Sequence, residues 1–86
     1  MSQGYSEQDI KRLSWQCRRG IKEVEVLLAP FFERFFTQLN PQDQALFVAL
    51  LDESDVDMFE WFTLRSKPED PDTRHIVDVI LTRMAS

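Results

Sequence analysis

Few side chains in this sequence could act as nucleophiles, general bases or metal ligands. Cys17 is the only cysteine and His75 the only histidine. A catalytic thiol needs a basic neighbour to depress its pKa, and a zinc site needs several cysteines and histidines at defined spacings. Neither requirement is met, and one cysteine cannot form an internal disulfide, which fits a reducing compartment. Cys17 reads as a small core residue and His75 as a surface or packing residue.

Ser54 lies between Glu53 and Asp55. That setting invites comparison with acyl carriers, whose modified serine lies between an aspartate and a leucine at a helix start. The leucine is missing, and a helix cap accounts for Ser54. With no catalytic constellation in view, the charged stretch Cys17-Arg18-Arg19-Gly20-Ile21-Lys22-Glu23-Val24-Glu25 stands out. If a helix ran through Gly20, Arg12, Gln16, Arg19 and Glu23 would form one stripe beside bare backbone. An exposed Arg19–Glu23 pair, cation first, would contribute only about 0.3 kcal/mol. Such a pair is weak motivation for a glycine that costs a helix interior about 1 kcal/mol. Trp15 lies off the Ile10, Leu13 and Cys17 side and close to Arg12, Arg18 and Arg19, so it faces either a partner or a second packing layer.

The elements that must position these residues are helical. Apolar residues recur at three and four positions after residue 6, and strand alternation is absent. The pattern predicts an all-α, single-domain bundle of about five helices spanning 1–86, with residues 1–6 disordered. Ser6 caps a first helix through about Arg18, and Gly20 marks a junction or a close backbone approach. A central helix from Ile21 to about Gln38 carries Val24, Leu27, Leu28, Phe31, Phe32, Phe35 and Phe36, with a kink or restart at Pro30. Asn40-Pro41 opens a third helix to about Leu51, and Ser54 caps a short fourth with Asp57 in the capping-box place and with Phe59, Trp61 and Phe62. A polar loop at Arg65–Glu69 precedes a last helix capped by Asp70 and opened by Pro71, with Ile76, Val77, Ile80 and Met84 inward.

The 86 residues include 10 Lys+Arg and 15 Asp+Glu, a net charge of −5. That balance repels phosphate backbones, and a helix-turn-helix DNA binder lacks its basic recognition helix here. Hydrophobic residues make up 43% and aromatics 12%, enough for one modest core. No segment approaches the roughly 20 apolar residues that span a bilayer. The N-terminus has no signal-peptide run, so a cytoplasmic location is expected.

At Arg19-Gly20-Ile21-Lys22-Glu23 the sequence resembles the SdhE family, whose motif is Arg-Gly-x-x-Glu. The likeness continues through Trp15, Cys17-Arg18, Glu25, Pro30-Phe31-Phe32 and Asp55-Val56-Asp57-Met58-Phe59-Glu60-Trp61-Phe62. Glu25 stands where the family usually has aspartate, and Phe62 where it often has leucine; neither change removes a charge or an apolar group. The resemblance implies a non-enzymatic assembly factor that binds the flavoprotein subunit of succinate dehydrogenase, and that of fumarate reductase. It would promote covalent FAD attachment by the partner's own histidine and hold no cofactor stably itself. It further implies that Arg19 and Glu23 hydrogen-bond to the flavoprotein while Gly20 admits its backbone, with Arg12, Trp15 and Arg18 extending the contact. A monomer when free is expected. Family members have also been described as antitoxin-like regulators of other protein partners, which gives a second reading of the same surface.

Overall fold

A computed structural model describes residues 4–85. Within them the chain forms five α-helices and a short 3₁₀ turn: α1 (Glu7–Gln16), α2 (Lys22–Phe35), the turn Phe36–Gln38, α3 (Pro41–Leu50), α4 (Asp55–Phe62) and α5 (Pro71–Met84). No strand occurs among the described residues.

The starts of four helices are fixed by their caps. Ser6 and Asp9 form a complete capping box on α1, each side chain accepting the other's backbone N–H at 3.1 Å. Asn40, Ser54 and Asp70 each accept the amide three residues on, and Pro41 and Pro71 occupy first-turn positions where a missing N–H leaves no bond unmade. Helix α2 differs, since Ile21 is its N-cap residue and provides no side-chain cap.

Two helix boundaries left open by the sequence are fixed by the structure. Helix α2 continues through Pro30 without restarting. The proline removes the amide that would bond the Val26 carbonyl, and Val26 is 54% exposed, so water can serve that carbonyl instead. Helix α1 also ends sooner than expected, at Gln16, with Cys17 as C-cap. Of the leading residues expected to be disordered, residues 1–3 lie outside the described part. Tyr5 and Ser6 are held, Tyr5 edge-on to Phe36 at 5.3 Å between ring centroids and Ser6 as the α1 cap.

Helix α2 is the hub, in contact with α1, α4, α5 and the 3₁₀ turn. Phe31, Phe32, Phe36 and Phe47 form a ring cluster with centroid separations of 4.8–5.9 Å, within the range favoured by tilted aromatic pairs. Ile76, Val77 and Ile80 of α5 are buried, and Met84 packs at the margin. Gln44 is the one buried polar residue among those described, and its Nε2 donates to the Phe36 carbonyl at 2.9 Å, satisfying the end of the α2 segment. Helix α4 is capped by Thr63 and followed by Leu64, a non-glycine residue with φ 62°, while the Arg65 amide bonds back to the Glu60 carbonyl at 2.9 Å.

Candidate functional site

Between α1 and α2 the chain crosses from Cys17, the C-cap of α1, to Ile21, the N-cap of α2, and Gly20 sits in this linker as the expected junction. The linker is held by side chains. Glu25, in the first turn of α2, accepts the Arg19 amide at 3.1 Å. Asp55, the first residue of α4, accepts Arg19 Nε at 2.6 Å through Oδ1 and the Gly20 amide at 2.9 Å through Oδ2. Arg19 Nη1 donates to the carbonyls of Gln16 at 2.7 Å and Leu51 at 3.1 Å, and Nη2 to that of Glu53 at 3.0 Å.

One guanidinium therefore ties the C-terminal ends of α1 and α3 to the start of α4. Carbonyls at helix C-termini lack intrahelical donors and carry partial negative charge, so a buried cation is well placed among them. The Arg19 side chain is only 15% accessible and Asp55 26%. The Arg19 hydrogen bond first, opposed next by desolvation and then aided by the Gly20 amide, the Arg19 charge and the Ile21 amide, holds the Asp55 carboxyl below the usual carboxylate range.

This geometry corrects the stripe of Arg12, Gln16, Arg19 and Glu23. The helix does not run through Gly20, and Arg19 pairs with Asp55, not with Glu23. Arg19, expected to reach a partner, commits four of the five N–H donors of a guanidinium inside the chain. Arg18 is the outward cation, its guanidinium carbon 4.9 Å from the centroid of the Trp15 ring. Trp15 is 68% exposed, so of its two readings the second packing layer is not what the structure has. Arg12 is exposed and paired with Asp9 at 2.7 Å.

Glu23 is exposed in the first turn of α2, where its charge suits the helix dipole, and among the described residues no hydrogen bond or ion pair engages its side chain. Gly20 is exposed with an ordinary φ, and a Cβ built there would meet only Asp55 Oδ2 at 3.5 Å, an ordinary contact. Neither backbone angle nor internal space requires a glycine. The six candidates thus fall into two groups: Arg12, Trp15 and Arg18 on the outer side of α1 and its end, and Arg19, Gly20 and Glu23 along the linker and the start of α2.

Asp55 and Glu25 are the residues that sequence reasoning did not assign to the site. Their only signal was membership in the Asp55–Phe62 and Arg19–Glu25 stretches, since nothing local announces that Asp55 closes on a residue 36 positions away. The remaining chemistry is quiet. Cys17 is 1% exposed, and burial, outweighing the favourable Arg19 charge, pushes its thiol up to about 12. His75 is exposed and lies 3.0 Å from Asp43, joining α5 to α3. Among the described residues no group of three or more His, Cys, Asp or Glu side chains could hold a metal ion, and no helix is long and apolar enough to cross a membrane.

Fold and cluster together define a small all-helical domain whose ion pair shapes an exposed linker. Comparison with known proteins gives that domain a family. Residues 11–84 match the family described as flavinator of succinate dehydrogenase. The chain is 47% identical over 78 residues to the FAD assembly factor SdhE of Pseudomonas aeruginosa, covering 91% of this chain and 93% of that protein. It is 38% identical over 82 residues to the protein of that name from Vibrio parahaemolyticus, covering 95% of each. The chain belongs to this flavinator family.

Proposed function

We propose that this protein is an assembly factor that binds the flavoprotein subunit of succinate dehydrogenase, and also that of fumarate reductase, and promotes covalent attachment of FAD. The observation that carries the reading is the near full-length likeness to FAD assembly factors, with Gly20 and Glu23 of the Arg-Gly-x-x-Glu motif exposed at the start of α2 and the linker before it. The chain acts in the cytoplasm as an accessory factor. The flavin belongs to the partner, whose own histidine forms the bond.

On this reading the factor contributes position, not a reacting group. A surface that fits one arrangement of the flavoprotein's domains raises the population of that arrangement, and with it the time the flavin spends in reach of its acceptor. Glu23 offers an unpaired carboxylate for charge-assisted hydrogen bonds. Gly20 offers open backbone, and a side chain there would stand between the linker and the partner. Trp15 and Arg18, residue types enriched in interface hot spots, extend the contact along α1, with Arg12 one turn further back.

The test is in-gel fluorescence of covalent flavin on the succinate dehydrogenase flavoprotein, in cells lacking this protein and then supplied with wild type or Glu23→Ala. Loss without the protein, rescue by wild type and no rescue by a folded Glu23→Ala are expected. Equal fluorescence in every strain would refute the assignment.

A further inference from the structure

We propose that Asp55 is a positioning residue for docking, its carboxylate fixing the linker in the shape that presents Gly20 and Glu23 to the flavoprotein. The inference rests on the docking reading above and assigns a role to a residue outside the Arg-Gly-x-x-Glu motif.

The linker amides have unusual partners. Arg18 bonds back to the Trp15 carbonyl and Val24 to that of Ile21, both by backbone. Between them the Arg19 and Gly20 amides are taken by carboxylates, those of Glu25 and Asp55. Glycine has more backbone freedom to lose than any other residue, so a linker containing it needs an external restraint to keep one shape. Asp55 is suited to give one, because it is the first residue of a helix already capped by Ser54. One carboxylate then grips two successive residues, the side chain of Arg19 and the backbone of Gly20. Arg19 acts through the same group: anchored by three carbonyls, it holds Asp55 in the orientation that leaves Oδ2 for Gly20.

A linker released from Asp55 would be ordered again each time a partner bound, and that cost falls on affinity. Re-ordering about one residue corresponds to about tenfold weaker binding. Asp55→Asn removes the charge and leaves one oxygen where two N–H donors converge. Asp55→Glu keeps the charge and the helix-start acid but displaces the carboxylate by a methylene.

The experiment titrates the purified full chain into the purified, unflavinylated flavoprotein subunit of succinate dehydrogenase, by calorimetry below the melting point of every variant. Amide hydrogen exchange at Gly20 is followed on the same samples. Both Asp55 variants are expected to exchange Gly20 faster and to bind about tenfold more weakly. Glu23→Ala should bind weakly with Gly20 exchange unchanged, which separates contact from positioning. Should Asp55→Asn fail to fold, Asp55→Glu decides. Faster exchange with wild-type affinity would overturn the positioning role, as would unaltered exchange. Failure of the wild type to bind the subunit would overturn the docking reading itself, and the positioning role with it.

Discussion

Replacing Arg19 by alanine should markedly destabilise the domain. The substitution deletes four hydrogen bonds, one to the Asp55 carboxylate and three to the carbonyls of Gln16, Leu51 and Glu53. Water can replace the guanidinium at Gln16, which is exposed, and partly at Glu53. It is less able to do so at buried Leu51 and at Asp55, whose side chain is 26% accessible. Counting those two bonds, at about 1.5 kcal/mol each for a charged donor, gives a loss of about 3 kcal/mol. For a domain of this size each kcal/mol lowers Tm by about 4–8 °C, so a fall of about 12–24 °C is expected. Arg19→Lys, a point charge without the planar fork, should recover about half of it. Thermal denaturation followed by circular dichroism measures this directly. A Tm for Arg19→Ala within about 3 °C of wild type would refute the internal role, since it would mean a loss below about 1 kcal/mol.

Other outcomes follow from the same geometry. Glu23→Ala and Gly20→Ala should each change stability by no more than about 0.5 kcal/mol, because one side chain is unpartnered and the other site is open; urea titration would show it. Asp55 has its folded pKa lowered, so its contribution is present above the unfolded value of about 3.9 and is lost as pH falls through the lower folded value. Wild type should therefore lose more stability than Arg19→Ala when pH is taken from about 5 to below the unfolded value, and parallel losses in chemical denaturation would contradict the pairing. Leu64→Gly should raise stability by about 1 kcal/mol, since it frees a left-handed residue that is 72% exposed and has little packing to give up, and an unchanged denaturation midpoint would count against that strain.

Local signals were the ones legible in the sequence. Ser6, Asn40, Ser54 and Asp70 cap helices because a short side chain needs only the amide three residues on, and no tertiary knowledge is required to see it. The junction at Gly20 and the burial of Cys17 were readable from pattern for a similar reason. Of the kink or restart expected at Pro30, the restart does not occur, because the cost of a proline inside a helix depends on what surrounds the orphaned carbonyl, and Val26, which supplies it, is exposed. The occupation of Arg19 was not legible at all. Its partners Leu51, Glu53 and Asp55 are 32 to 36 residues away, so their meeting is decided by how α3 and α4 pack against the rest. The motif marked where the candidate surface is, while the fold decided which of its charges faces inward.

The buried Cys17 gives this surface a practical property. A lone thiol that stays protonated and shielded near neutral pH leaves the folded chain silent toward maleimides and similar probes. A second cysteine introduced at exposed Lys22, which has no part in the proposed contact, would then be the sole labelling handle, without any need to remove the native one. Fluorophores, spin labels or photo-crosslinkers could be placed within a few residues of Gly20, and the linker's encounter with a flavoprotein followed atom by atom in an otherwise unmodified protein.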